Sequence, residues 1–229
     1  ERYGDLIERV GGIEPFEQGL YGASEMFVNG FLHLYRDGIL KRKVYDSIPL
    51  QRLLNEGVIG ESVDERTLRV FLERGVIPAR LTEADVGFLR RFGIFNDRVR
   101  YEDGELVLGE TVRVSANLDQ PASYSAVVED GLGDYLRGGI LLHGGFFMGP
   151  QDFYEALRVL PEQDGRQICM TTVRKVNHLY NGEELAVLQR RNARFINTTI
   201  MMTLMGAAVS DGLENGQVIS GVGGQYNFV

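Results

Sequence analysis

The sequence predicts an α/β fold with a largely parallel sheet, together with an inserted, mostly helical subdomain that carries a β-hairpin. Two short apolar runs, residues 140–142 and 168–170, have the pattern of buried strands, and each is followed by a helical pattern. Such alternation is typical of parallel sheets. Residues 45–137 have a different pattern, which predicts short helices and one hairpin. We therefore expect one domain from residues 1–44 and 138–229, with residues 45–137 as an inserted subdomain.

The first part of the chain predicts one strand and one helix. Residues 20–24 are small or apolar and predict a strand, which places Glu25 at its C-terminal end, before a helical pattern over 27–35. The carboxyl ends of strands are where α/β sheets bind ligands. Glu25 is therefore a candidate site residue. The alternative is an ordinary glutamate that favours the positive end of a helix dipole.

Local turn and cap signals organise the region from residue 36 to 115. A helix, a glycine and an apolar pair recur with the pattern of left-handed caps at Gly38, Gly57, Gly75 and Gly93. Residues 82–85 have the sequence of a capping box. Asp103-Gly104 predicts a tight turn that sets Val99 and Tyr101 opposite Leu106 and Leu108, and Val112 and Val114 alternate as in a strand.

Strands and helices alternate again from residue 138 onward. In order, we expect a strand at 140–142, a helix opened by Pro150 at 151–160, a strand at 168–170, a helix at 183–194 and a buried strand at 218–219. The apolar strip 144–149 between the first two has two interpretations, a lining for a ligand or a buried turn. Cys169, within an apolar run, is expected to be a buried core thiol.

Composition narrows the class of protein. The 229 residues are 44% hydrophobic and contain no run long and apolar enough to cross a membrane, and the net charge of −8 argues against nucleic acid or an anionic membrane as partner. A single cysteine excludes an internal disulfide and suits the cytoplasm. The chain starts with charged residues and without methionine, so we expect a piece of a longer protein with no signal peptide.

A glycine-rich stretch follows the last apolar run. Three of four positions are glycine at Gly221, Gly223 and Gly224, and Gln225 comes next. Backbone without side-chain bulk lets a ligand approach closely and can present N–H groups to an anion or an oxyanion. The same pattern is also that of an ordinary turn.

Four motifs in order resemble one known family. Residues 24–30 (SEMFVNG), 176–178 (VNH), 195–198 (FINT) and 221–228 (GVGGQYNF) are similar to the C-terminal half of the acetyl-CoA hydrolase/transferase family. That family includes acetyl-CoA hydrolases, succinyl-CoA:acetate CoA-transferases and 4-hydroxybutyrate CoA-transferases. The resemblance covers residues 15–45 and 138–229. It implies a CoA-transferase α/β domain, usually paired with a similar N-terminal domain, in homodimers or larger assemblies.

The resemblance implies roles for three residues. Glu25 stands at the position of the nucleophile, Asn177 at that of an asparagine that contacts the thioester, and Gly224 at that of a backbone N–H donor to the oxyanion. Candidate contacts with the substrate or CoA are Gly145, Phe146, Met148, Lys175, Gly221, Gly223 and Gln225. Two departures are the inserted residues 45–137 and Asn227, which replaces an acidic residue of the family.

The implied function is hydrolysis of a small acyl-CoA or transfer of its CoA to a small carboxylic acid. Acetyl-CoA is the acyl-CoA that we expect. The implied partners are the acyl-CoA, the acid or water, and further copies of the chain. Coenzyme A is a substrate, and neither a cofactor nor a metal is expected. The alternative is a non-catalytic acyl-CoA-binding or assembly module. A DNA-binding module within residues 50–108 is disfavoured by acidic residues at Glu56, Glu61, Asp64, Glu65, Glu73, Glu83 and Asp85.

Overall fold

A computed structural model describes residues 19–177 and 182–221 of the chain. The chain divides into two compact units, one made of Glu1–Lys43 with Ile140–Val229 and the other of Val44–Gly139. Among the described residues, no helix has both the length and the apolar character needed to span a membrane.

The secondary structure follows the chain as short helices and strands. In order these are β1 (Gly22–Phe27), α1 (Asn29–Arg36), α2 (Ile48–Glu56), α3 (Glu65–Glu73), α4 (Glu83–Arg91), β2 (Arg100–Glu102), β3 (Glu105–Leu108), β4 (Val112–Ser115), α5 (Pro121–Ala126) with a π-helical turn (Val127–Gly131), β5 (Leu142–Phe147), α6 (Gln151–Arg158), α7 (Glu162–Gly165), β6 (Ile168–Met170), α8 (Val173–Asn177), α9 (Glu183–Gln189), β7 (Met201–Met202) and β8 (Ala208–Val209).

The first unit is built on a parallel sheet, as the sequence predicts. Strand β5 lies between β1 and β6 and is parallel to both, with Leu142 opposite Gly22 on one side and Ile168 on the other. One apolar core packs on this sheet; its buried members are Phe27, Leu32, Leu40, Leu141, Leu142 and Phe153. Pro150 is the N-cap of α6, so the predicted start of that helix is confirmed.

Strands β1 and β5 both change face near their carboxyl ends. Leu142 and Phe147 pack in the same apolar core although five positions separate them, an odd spacing that a regular strand would place on opposite faces. In β1, Phe27 and Gly22 are also five positions apart. Phe27 packs in this core, and a Cβ added at Gly22 would touch Leu142 of the same core. The two strands therefore bend together between these positions, in the part that contains Glu25.

The pairing of β1 with β5 corrects two expectations. Strand β1 runs on to Phe27 instead of ending at residue 24, because its pairing with β5 continues to the partners Phe27 and Phe147. Glu25 therefore lies inside the strand and not after it. For the same reason residues 144–147 of the strip 144–149 belong to β5, so the expectation of a buried turn is wrong for most of the strip, and a lining for a ligand stays a prediction.

Three further expectations are wrong. Helix α9 ends at Gln189 instead of residue 194, because Arg190 already leaves the helical conformation with a ψ of 25°. Cys169 is partly exposed, since β6 is an edge strand of the sheet. Val218 makes a single bridge to Gly212 and is 74% exposed, so the expected buried strand at 218–219 is absent from the described structure.

The second unit has its own apolar core between its helices and a three-stranded antiparallel sheet, β2-β3-β4. The hairpin is confirmed, with Tyr101 opposite Leu106 and positive φ angles at Asp103 and Gly104. The capping box is confirmed because Thr82 and Asp85 bond each other's backbone N–H. The predicted left-handed caps are confirmed at Gly38, Gly57, Gly75 and Gly93.

Two of these glycines make a matched stability test. Gly57 and Gly93 have φ angles of 71° and 75°, but an added Cβ meets nothing within 4 Å at Gly57 and lies 2.5 Å from the Tyr135 carbonyl oxygen at Gly93. We expect Gly57→Ala to lower the free energy of unfolding by about 1 kcal/mol through left-handed strain. Gly93→Ala should cost about 2 kcal/mol more because of the overlap. Urea denaturation measures both, and equal losses would contradict the packing at Gly93.

Candidate active site

The structure brings Glu25 and Asn177 together, although 152 positions separate them in the sequence. The Asn177 side-chain Nδ2 donates a hydrogen bond of 3.0 Å to Glu25 Oε2. Both residues are half-buried, Glu25 in the bent part of β1 and Asn177 as the last residue of α8. The arrangement is a carboxylate held by an amide in a site that solvent can partly reach.

Helix α8 reaches this position because its start is tied to the sheet. The Thr171 N–H, just after β6, donates to the Gly144 carbonyl oxygen at 2.8 Å. The Thr172 hydroxyl oxygen accepts from the Lys175 N–H at 3.2 Å, as an N-cap side chain does. Val176 is buried on the inner side of the helix. The helix contacts both β1 and β5, so its last residue lies beside the strand that carries Glu25.

Gly145 allows the close approach of this helix and the two strands. An added Cβ would lie 2.7 Å from the Glu25 carbonyl oxygen and 2.7 Å from Val173 Cγ2. The candidate Gly145 therefore has a structural role at the site, which is to leave room for β1 and for the first residue of α8. A role in binding substrate stays a prediction.

An alanine at this position is expected to destabilise the first unit. Gly145→Ala should lower the free energy of unfolding by about 1–3 kcal/mol, because the new methyl group overlaps backbone and a packed valine. Gly165→Ala is the matched control, since an added Cβ there meets no atom within 4 Å. Thermal or urea denaturation compares the two. A Gly145→Ala protein as stable as the control would show that α8 does not pack on β5 in this way.

A polar cluster of Tyr21, Arg42 and the buried His143 lies beside β5. The Tyr21 hydroxyl and His143 Nδ1 are 2.7 Å apart, and the Arg42 guanidinium lies 5.7 Å from the centre of the Tyr21 ring. Burial raises the pKa of Tyr21 to about 12, although the charges of Arg190 and Arg42 act in the opposite direction. Burial also lowers the pKa of Arg42. Tyr21 is therefore a neutral hydrogen-bonding group at physiological pH.

Two arginines bond the C-terminal ends of helices in this unit. Arg190 Nη2 donates to the carbonyl oxygens of Lys175 at 3.1 Å and Val176 at 2.9 Å, at the end of α8. Arg42 Nη2 donates to the Gln189 carbonyl oxygen at 2.7 Å, at the end of α9. Arg190 was not among the predicted site residues. The one sequence feature that could have indicated a role for Arg190 is its position directly after a helical pattern, where a positive charge is favoured.

The remaining predicted site residues are exposed or lie outside the described residues. Phe146 and Met148 are 39% and 57% exposed, and Lys175 is exposed on α8. Gly221, the last described residue, is exposed. The candidates that lie outside the described residues are Gly223, Gly224 and Gln225. The oxyanion role of Gly224 therefore stays a prediction.

Comparisons with known proteins bear on the same part of the chain. The searches of curated proteins and of solved structures found no match. One family model matches residues 149–229, a range that includes Asn177 and the glycine-rich stretch but begins after Glu25 and Gly145. The matched family is the one that the motifs predict. Residues 149–229 thus carry the sequence pattern of the acetyl-CoA hydrolase/transferase C-terminal domain, which confirms the family resemblance of this chain.

Proposed function

We propose that the protein acts on small acyl-CoA thioesters, with Glu25 as the nucleophile, as a CoA-transferase or an acyl-CoA hydrolase. The observation that carries the proposal is the 3.0 Å hydrogen bond between Asn177 and Glu25. It joins a residue inside the family match to one outside it. The same two residues are those to which the motifs assign the reacting roles.

A carboxylate attacks a thioester well only when it is partly desolvated and held against the carbonyl carbon. Glu25 is half-buried, and one of its oxygens is oriented by Asn177. The attack forms a bond between the carboxylate oxygen and the acyl carbon and expels the CoA thiolate, leaving an acyl-glutamyl anhydride. The thiolate then attacks the Glu25 carbonyl carbon, releases the acyl group as a carboxylate and forms a glutamyl-CoA thioester.

The second half of the reaction reverses these steps with a new acid. An acceptor carboxylate attacks the glutamyl thioester, and the expelled thiolate attacks the acceptor's acyl carbon. The products are a new acyl-CoA and free Glu25. When water takes the place of the acceptor, the net reaction is hydrolysis of the thioester. Access of water to the intermediates therefore decides between a transferase and a hydrolase.

Each tetrahedral step places negative charge on one oxygen, which needs a fixed donor. The Asn177 amide has two N–H groups, so one can hold Glu25 while the other donates to the oxyanion. A single donor of this kind is worth about 3 kcal/mol in the transition state. The backbone N–H of Gly224 is proposed as the second donor.

Exposed groups near Glu25 and Asn177 are proposed to bind the pantetheine arm and the phosphates of acyl-CoA. Phe146 and Met148 offer apolar surface for the thioester or the pantetheine arm, and Lys175 offers a cation for phosphate. Gly221, Gly223 and Gln225 are proposed to contact substrate through the glycine-rich stretch. We also propose that the protein forms a homo-oligomer and acts in the cytoplasm.

The test is product analysis of the full-length protein with acetyl-CoA, alone and with succinate as acceptor. Succinyl-CoA formed in the mixture supports a transferase, whereas free CoA formed at the same rate with and without succinate supports a hydrolase. Tight binding of acetyl-CoA with no product in either mixture would contradict the proposal and favour an acyl-CoA-binding module.

A further inference from the structure

We propose that Arg190 is a positioning residue for the Glu25–Asn177 pair, which it serves by fixing the end of helix α8. Its kinetic consequences rest on the proposed function. The two carbonyl groups that Arg190 bonds belong to Lys175 and Val176, the residues immediately before Asn177. A shift of these carbonyls would move the Asn177 side chain relative to Glu25.

The described part of helix α8 is five residues long, and its position depends on contacts with the rest of the first unit. The Arg190 guanidinium supplies two such contacts, to the carbonyl oxygens of Lys175 and Val176 at 3.1 and 2.9 Å. Thr171 and Thr172 hold the start of the helix, and Arg190 holds the backbone directly before Asn177.

Arg190 is itself held in place through contacts that lead back to the sheet. It directly follows Gln189, which is 5% exposed and whose carbonyl oxygen accepts from Arg42 at 2.7 Å. The Arg42 guanidinium lies over the ring of Tyr21, and the Tyr21 hydroxyl bonds His143 in β5. These contacts connect the backbone before Asn177 to β5, the strand that pairs with the one that carries Glu25.

A direct role in binding CoA makes a different prediction. An arginine that contacts a phosphate of CoA would change the KM for acetyl-CoA and would not affect a thioester that has no phosphate. A positioning residue would change kcat for both substrates, because the geometry of Asn177 and Glu25 is the same for both. Acetyl-CoA and S-acetyl-N-acetylcysteamine, a short thioester, separate the two roles.

The kinetic test compares Arg190→Gln and Arg190→Lys with Arg194→Gln in the full-length protein. Arg194 donates to Asn192 and Ala193 in its own loop, so its variant controls for loss of one positive charge. We expect Arg190→Gln to lower kcat about 10- to 100-fold with both substrates, with KM little changed. Arg190→Lys, which keeps a charged donor, should recover part of kcat. A rise in KM for acetyl-CoA alone would overturn the positioning role.

A second readout does not depend on turnover. The side-chain amide of Asn177 gives ¹H–¹⁵N resonances that are identified by their loss in Asn177→Asp, and Glu25→Ala reports their shift when the hydrogen bond is removed. Arg190→Gln and, to a smaller extent, Arg190→Lys are expected to shift them in the same direction. Resonances unchanged in both Arg190 variants would overturn the inference. If the shifts occur but no variant or wild type turns over acyl-CoA, the positioning role stands and the proposed function fails.

Discussion

Glu25→Gln is expected to abolish turnover of acyl-CoA while leaving the affinity for CoA and the stability close to those of the wild type. The amide keeps the size of the carboxylate and an oxygen that accepts from Asn177, so the bond at 3.0 Å has a replacement. It removes the anionic nucleophile, without which neither the anhydride nor the glutamyl thioester forms. Steady-state release of CoA, together with calorimetric binding of CoA, measures the two effects separately.

The matched control is Glu214→Gln, the same substitution at an exposed position of the first unit. It should retain the wild-type rate. A Glu25→Gln protein that still turned over acetyl-CoA would assign the chemistry to another group. If the wild type and Glu25→Gln bind CoA equally and neither turns over acetyl-CoA, the protein is a binding module.

Asn177→Ala is expected to lower kcat about 10²- to 10³-fold, because it removes the donor to Glu25 and to the developing oxyanion. The KM for acyl-CoA should change less, since the donor acts mainly in the transition state. A loss confined to KM would instead show that Asn177 binds the ground state.

Asn177→Asp is a sharper variant of the same test. It sets a second carboxyl group at hydrogen-bond distance from Glu25, where two negative charges repel each other. The new carboxylate has no N–H to donate to Glu25 or to the oxyanion, so we expect a kcat no higher than that of Asn177→Ala. A kcat above that of Asn177→Ala would contradict the close contact.

The sequence predicts those parts of the fold that depend on neighbouring residues. The left-handed cap at Gly93 and the capping box at Thr82 follow from short patterns, and the structure contains both. The parallel sheet follows from the alternation of strands and helices, and it too is present. The cap and the capping box are determined largely by the backbone within a few residues, whereas the sheet was predicted from the order of the elements along the chain.

The geometry of the site depends on contacts between distant parts of the chain. The bend of β1 at Glu25 accompanies the bend of β5, and the room for it depends on Gly145. From residues 20–28 alone, the strand was expected to end before Glu25. Arg190 has no motif that relates it to Asn177, since the connection passes through backbone carbonyls whose positions the sequence does not display.

The most direct measurement is peptide mapping by mass spectrometry after the full-length protein is incubated with acetyl-CoA and treated with borohydride, which reduces a glutamyl thioester to the alcohol. The account predicts a mass change on the peptide that contains Glu25 in the wild type and no change in Glu25→Gln. Reduction on a different residue, or an unmodified Glu25 peptide in a protein that turns over acetyl-CoA, would contradict covalent catalysis by Glu25.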